Sequence, residues 1–505
     1  MIEKFRHIYE NHRQIILFLS IITIFRLIYI YLIPILPQEA YYWYYALRPD
    51  FSYYDHPPMA AYSIWFGTRL FGDTVFGVKF MAVIWAAMTN IVLYLTAHLI
   101  FEEMELSRRR NWSFIVVVFY NLMLFAHIYA VVIVPDTPLL FFWMSIIFFV
   151  FKYQRTDRTE YVYLAAMALG FGMLSKYTAV AILPAVFLIL ISDPRSRRLF
   201  LRPHPYLAVL ITILIFMPVI IWNIENKWAS FGFQFSERAG ALKTFQTKYI
   251  LQLIASQFFI LTPMPVILFF RSTGNILKNW QTRIEARNLL LTGVFIIGGF
   301  ILVSLRSLVK MNWLMPGYLG LTLAAVLVLK DNISLKSIWV KMGAYLSVVL
   351  IIMAHMIFLI RNIPLGEGNT WSGWQDATQK IATIQAEMGG SSSVFIFTNS
   401  YKASSLIKFY LNDKQDVYAQ NIYGQPALQF DIWGIPDTLD GKDALYVFSD
   451  RYEYKSDLHL VNEYFDSVIP LDEFRYAFGP DKTTRIISCY YARDYKQKSS
   501  GVNDQ

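Results

Sequence analysis

The sequence predicts a polytopic α-helical membrane protein with a small C-terminal α/β domain on the extracytoplasmic side. Three observations carry this reading. Hydrophobic residues make up 56% of the 505 positions and charged residues only 16%, with a mean hydropathy of +0.40; a soluble chain carries about a quarter charged residues. Apolar runs of the roughly twenty residues needed to cross a bilayer recur through the first two thirds of the chain. Lys and Arg gather in alternate short loops between those runs, as the positive-inside rule requires. The net charge of +9 is therefore a topology signal and not one for nucleic acid. The single cysteine, Cys489, excludes an intramolecular disulfide and a cysteine-built metal site.

The N-terminal stretch to Gln14 is polar and basic (Lys4, Arg6, Arg13) and is expected to be cytoplasmic. No small-residue cleavage site follows the first apolar run, so that run reads as an anchor. About eleven spans are expected by length and apolarity, over residues 15–36, 75–101, 112–129, 139–153, 161–174, 178–192, 206–221, 249–270, 289–305, 313–329 and 344–360. Residues 57–72 are amphipathic and aromatic (Tyr62, Trp65, Phe66, Phe71) and read as a helix in the interface. The expected division is a membrane domain over 1–361, an α/β domain over 362–495 and a disordered tail over 496–505. Short strand-like runs at 393–398, 444–449 and 484–490, with helix-like stretches at 374–388 and 403–411, argue for the α/β domain.

The first outer loop concentrates unusual chemistry. Pro37-Gln-Glu-Ala-Tyr-Tyr-Trp-Tyr-Tyr-Ala46 runs on to Tyr53-Tyr-Asp-His-Pro-Pro-Met59. A carboxylate this close to a bilayer needs water, a cation or a partner. Adjacent prolines stiffen the backbone beside Asp55 and His56, which suits a preorganised site. The other outer loops bring Asp136 between Pro135 and Pro138, then Lys176 and Tyr177, then Trp222, Asn223, Gln234, Arg238 and Lys248, then Arg306, Lys310, Asn312 and Trp313. Carboxylates supply acid, base or metal ligation. Lysine and arginine bind phosphate, and aromatics offer stacking surfaces. Polar residues on one side of the membrane point to a single outer cavity. Plainer roles stand beside each: Asp136 opening a helix, Lys176, Arg306 and Lys310 anchoring to headgroups, Asn223 capping, Trp313 in an aromatic belt, His56 held in its loop.

The order of motifs resembles the multi-spanning bacterial GT-C glycosyltransferases related to protein O-mannosyltransferases and to the lipid A aminoarabinose transferase. The matching pieces are Glu39-Ala-Tyr-Tyr-Trp43, Tyr54-Asp-His-Pro-Pro58, Pro135-Asp-Thr-Pro-Leu139, Leu174-Ser-Lys-Tyr-Thr178, Trp222 to Phe231 with Phe233-Gln234, and Asn312-Trp313. Fainter echoes follow at Gly373-Trp374, Ala403 to Tyr410 and Asp431-Ile-Trp433. The resemblance implies a polyprenyl-phosphate sugar as donor and a lipid, glycan or protein hydroxyl as acceptor, with transfer on the outer face of a bacterial inner membrane and inversion at the anomeric carbon. It implies donor phosphate and sugar binding by His56, Asp136, Lys176, Tyr177, Asn223, Gln234, Arg238, Lys310, Asn312 and Trp313. The family's first loop usually reads Asp-Glu-Ala-Tyr-Tyr-Trp, and that aspartate is its base. Gln38 stands there in this chain, and glutamine cannot take a proton. Glu39 or Asp55 is then the expected catalytic carboxylate, Glu39 first because it adjoins the family position. Glu39, Asp55 and His56 are also the residues that would ligate a divalent metal ion, should one take part. Rival readings are a lipid-linked sugar transporter or flippase, which needs polar residues in mid-span, and a binding protein that has lost catalysis.

Overall fold

The computed structural model describes residues 2–234, 245–330, 337–360, 369–420, 422, 427–449, 458–477 and 483–496. Arg238 and the tail expected to be disordered, apart from Lys496, lie outside these. The chain packs into two units, one of residues 1–32, 49–52 and 56–356 and one of 33–48, 53–55 and 357–505.

The helices in chain order are α1 (Ile2–Leu32), α2 (Pro37–Leu47), α3 (Met59–Phe71), α4 (Val75–Ile100), α5 (Leu106–Tyr120), α6 (Phe125–Ile128), α7 (Asp136–Thr156), α8 (Glu160–Ser175), α9 (Leu183–Ser192), α10 (His204–Glu225), α11 (Ala229–Gly232), α12 (Thr247–Leu261), α13 (Pro263–Lys278), α14 (Ile284–Ser304), α15 (Met315–Leu329) and α16 (Ile338–Leu359). All but α2 build the first unit. Seven stretches among the described residues are long and apolar enough to cross a membrane: 11–32 of α1, α4, α7, α10, α14, Met311–Leu329 and α16. An eighth results if α12 and α13, bent by 108° at Thr262, form one broken span.

The other expected runs are broken or shorter. The run 112–129 stops as a helix at Tyr120 and continues irregularly to α6. Runs 161–174 and 178–192 are shorter apolar helices. At the break after α12 the Thr262 hydroxyl donates to the Leu122 carbonyl at 3.0 Å and lies 2.8 Å from the Ser347 hydroxyl. Polar backbone at membrane depth needs such internal partners. Elsewhere the helices follow local rules. The Thr74 hydroxyl accepts the Gly77 N–H and caps α4. The exposed face of α3 is Trp65, Phe66, Leu70 and Phe71, opposite buried Ala60, Ala61, Ile64 and Gly67, the amphipathic pattern expected for 57–72. Helices α14 and α15 approach closely through small residues: a Cβ on Gly293 would lie 2.3 Å from the Gly317 carbonyl oxygen.

The second unit is a five-stranded sheet with helices α17 (Trp374–Glu387), α18 (Tyr401–Tyr410), α19 (Gln429–Trp433) and α20 (Leu458–Asn462). Its strands are β1 (Val394–Thr398), β2 (Val417–Ala419), β3 (Asp443–Ser449), β4 (Phe465–Ala477) and β5 (Thr483–Tyr495), in the order β2-β1-β3-β5-β4. The pairs β1–β2 and β1–β3 are parallel, and β3–β5 and β4–β5 antiparallel. Every residue of β1 is buried, as a strand covered on both faces requires. Helix α2 belongs to this unit, together with residues 53–55. Its Trp43 ring packs edge-on against Phe409 of α18, with centroids 5.0 Å apart. The expected boundary at residue 361 had left α2 with the spans.

Candidate active site

The predicted site residues fall into two groups, one in each unit. In the helical unit Asp136 is the first residue of α7 and Lys176 follows the last residue of α8. A helix N-terminus favours an anion and a C-terminus a cation, so each end suits its side chain. The ends of α7 and α8 meet in an ion pair: the Lys176 ammonium donates to Asp136 Oδ1 at 2.8 Å, with the side chains 7% and 4% exposed. The other oxygen, Oδ2, accepts the Asn312 amide at 2.8 Å. Trp313 places its ring 5.9 Å from Lys176 Nζ. Four residues singled out from sequence, from three separate stretches of the chain, thus form one cluster.

Tyr177 stands beside this cluster by sequence, and its hydroxyl lies 2.7 Å from the Ser230 hydroxyl. Its ring meets Phe231 edge-on at 5.6 Å. Asn223 is fully buried and its side chain is spent locally: the amide donates to the Val219 carbonyl at 2.9 Å and the oxygen accepts the Phe231 N–H at 3.0 Å. These bonds organise the turn, which fits the left-handed φ of 52° at Lys227 and 62° at Trp228. Gln234 is half-buried just past α11, Lys310 is exposed and His56 is half-buried.

The second group is built on α2. Gln38 is half-buried and Glu39 fully buried; consecutive helical residues point about 100° apart. Glu39 Oε2 accepts the Leu36 N–H at 3.0 Å and so caps its own helix. Burial, then the nearby Glu39 charge, push the Tyr410 hydroxyl up to about 12. Glu39, the first-choice base by sequence, is thus a buried residue that also fixes the start of α2.

Asp55 is 4% exposed. Its Oδ1 accepts the Tyr41 hydroxyl at 3.2 Å and also the Tyr45 hydroxyl. The two tyrosines are one helical turn apart, and their hydroxyls lie 2.5 Å from each other. Burial, and then the Asp55 charge, raise both phenols well above their ordinary range, so they remain donors. Gln429 supports the arrangement from α19: its backbone N–H donates to the Tyr41 oxygen at 3.0 Å, and its side-chain oxygen accepts the Tyr54 N–H at 2.7 Å. Among the described residues no three His, Cys, Asp or Glu side chains converge as a metal site requires. Glu39, Asp55 and His56 do not form one.

Sequence reasoning passed over several residues that these groups use. Asp50 accepts the Trp222 indole N–H on Oδ2 at 2.9 Å. Asp416, Lys408 and Gln429 come from the C-terminal unit and had no local signal. The i, i+4 spacing of Tyr41 and Tyr45 was visible and would have paired them on one face.

Comparison with known proteins agrees with this architecture. The sequence profile of dolichyl-phosphate-mannose-protein mannosyltransferases matches residues 55–222. The lipid A galacturonosyltransferase RgtD of Rhizobium johnstonii is 21% identical over 436 residues, which cover 80% of this chain and 84% of that protein. Crystal structures of ArnT from Cupriavidus metallidurans share the fold: the apo form has a TM-score of 0.61 at 14% identity, and the form bound to undecaprenyl phosphate 0.60 at 15%, each covering 94% of this chain and 97% of that one. With its mannosyltransferase profile over residues 55–222, its galacturonosyltransferase relative and its ArnT-like fold, the chain is similar to membrane glycosyltransferases of the GT-C type.

Proposed function

We propose that the protein transfers a sugar from a polyprenyl-phosphate donor to an acceptor hydroxyl on the extracytoplasmic face of a bacterial inner membrane, with inversion at the anomeric carbon. The observation that carries the reading is the buried Asp136–Lys176 pair with Asn312 and Trp313 around it. Asp136 fixes one ammonium N–H of Lys176, and the ammonium has two more to give. A polyprenyl-phosphate sugar is a phosphodiester with one negative charge. When its anomeric C–O bond breaks, the leaving lipid phosphate gains a second. A cation fixed before the reaction stabilises that second charge more than the first, which is the differential binding catalysis needs. Lysine does this as a point charge, with its position set by Asp136 and the Trp313 face.

The acceptor oxygen attacks the anomeric carbon from the side opposite the phosphate, and its proton passes to a carboxylate. Asp55 is the proposed acceptor of that proton. Gln38 has no basic atom, and Glu39 is committed to its helix cap. The two phenols on Asp55 orient its carboxylate, and His56 next in sequence is the proposed second contact to the donor. ArnT bound to undecaprenyl phosphate supports a lipid-phosphate carrier, and RgtD, a lipid A galacturonosyltransferase, supports a lipid acceptor.

The test is transfer by purified protein in nanodiscs. Labelled undecaprenyl-phosphate sugars are supplied one at a time with a lipid extract as acceptor, and release of undecaprenyl phosphate is followed. Release by wild type, lost in Lys176→Met and Asp55→Asn, is the expected result. Movement of the donor across a vesicle membrane without any release would replace the reading with a flippase.

A further inference from the structure

Asp416 immediately precedes β2 and collects three side chains. The Tyr44 hydroxyl donates to its Oδ1 at 3.0 Å and the Lys408 ammonium to the same oxygen at 2.8 Å, while the Arg48 guanidinium donates to Oδ2 at 2.9 Å. Tyr44 lies on α2 and Arg48 closes it, four residues on. Tyr41 and Tyr45, also four apart on α2, hold Asp55. Two faces of one short helix are thus each gripped by one carboxylate. The Asp416 grip is reinforced from both sides. Lys408 is 6% exposed, donates also to the Lys414 carbonyl at 2.7 Å, and lies 5.1 Å from the Tyr44 ring. The Arg48 guanidinium stacks 4.9 Å over Trp433 and 5.6 Å over Tyr44.

We propose that Asp416 is a positioning residue for the transfer reaction: through Tyr44 and Arg48 it sets the rotation of α2, and with it the two tyrosine hydroxyls that orient Asp55. A tyrosine hydroxyl lies far from its helix axis. A small rotation of α2 therefore carries it beyond hydrogen-bond tolerance. The proposal rests on the reading of Asp55 as the proton acceptor. It assigns the C-terminal unit a part in the chemistry: the sheet edge holds the helix that holds the carboxylate.

The experiment uses the full chain in nanodiscs with the undecaprenyl-phosphate sugar that wild type turns over. Asp416→Asn keeps the shape and removes the charge. Arg48→Met removes one arm and strands no buried charge, so it guards against a folding defect. Each should lower kcat about ten- to hundredfold, the usual consequence of misplacing a reacting group from a distance, with the donor KM within about twofold of wild type. Looser phenol bonds make Asp55 more basic, so the acid limb of the kcat profile should move to higher pH. Asp416→Glu should restore part of the loss, and adding Asp416→Asn to Asp55→Asn should cost nothing further. Unchanged kcat and an unchanged limb in both variants, beside an inactive Asp55→Asn, would overturn the positioning role alone. A lower unfolding temperature with an unmoved limb would make Asp416 merely structural. Full turnover in Asp55→Asn would overturn this proposal and the assignment beneath it together.

Discussion

Breaking the Asp136–Lys176 pair should separate stability from activity. Both side chains are more than nine-tenths buried and each sits at the helix end that favours its charge. Lys176→Met leaves the Asp136 carboxylate with Asn312 as its side-chain partner among the described residues, and Asp136→Leu leaves a buried ammonium beside Trp313. Removing one partner of a buried ion pair destabilises by about 3–5 kcal/mol, whereas replacing both by apolar residues of similar volume is neutral or stabilising by about 1–4 kcal/mol. The helix ends return only about 0.3–1 kcal/mol to whichever charge remains. Each single variant should therefore unfold at a clearly lower temperature, and Asp136→Leu/Lys176→Met should recover most of the difference. Transfer should not recover, because the double variant has lost the buried cation proposed for the leaving phosphate. Thermal unfolding followed by tryptophan fluorescence, together with release of undecaprenyl phosphate, reads both quantities on one sample. A double variant that regains transfer with its stability would refute the phosphate-binding role and leave the pair as architecture.

Four further outcomes are expected. Asp55→Asn should lower turnover by about 10²–10⁴-fold if it removes general-base help, while Glu39→Gln, which keeps a capping oxygen, should show a much smaller fall; the opposite order in kcat would return the base to Glu39. Burial works against the Asp416 carboxylate, but Lys408, Arg48 and Tyr44 outweigh it and hold it below its ordinary 3.8. Its contribution to stability is then present above that value and lost as the pH falls through the lower folded one, so acid unfolding over about pH 5 to 2 should be shallower in Asp416→Asn than in wild type. Burial pushes the Cys489 thiol up to about 12, so a maleimide at about pH 8 should label it only after unfolding; prompt labelling of the folded protein would contradict its position in β5. Helix α16 is long and apolar enough to cross a membrane, so reporter fusions after Lys330 and after Asn369 should report opposite compartments, with Asn369 outside. The same compartment for both would remove that span.

The cluster at Asp136 was legible because helix ends are written locally. Pro135-Asp-Thr-Pro138 opens a helix, and Leu174-Ser-Lys-Tyr177 closes one. Two antiparallel neighbours must then bring those ends together. The surroundings of Glu39 were not legible, for the opposite reason. Which face of α2 is buried depends on residues more than three hundred positions away, Tyr410 and Phe409 among them. Nothing in Pro37 to Ala46 says that Gln38 stays accessible while Glu39 turns inward. Strands β1, β3 and β5 were found because their apolar runs are strong. Strand β2, three residues long, is too short to signal, yet it is the one that carries Asp416 to α2.

The break in the expected run 112–129 has a cause with two visible parts. Hydropathy treats 15–36 and 112–129 as uniform apolar runs, so it passes over Arg26 and Asn121. In the fold these residues meet. The Arg26 guanidinium, 1% exposed, donates through Nη2 to Asn121 Oδ1 at 3.1 Å and to the Ala126 carbonyl at 3.0 Å. Asn121 also donates to Asn90 Oδ1 at 2.6 Å, and the His127 ring nitrogen lies 2.8 Å from the Asn121 carbonyl. An arginine inside a span must find acceptors within the protein. A continuous helix over 112–129 would keep its carbonyls for its own ladder. Ending α5 at Tyr120 sets the Asn121 side chain and the Ala126 carbonyl of α6 where Arg26 Nη2 reaches both. The charge in the first span and the break in the third are thus one feature. An average over apolar residues cannot register it, because it exists only once the two segments are side by side.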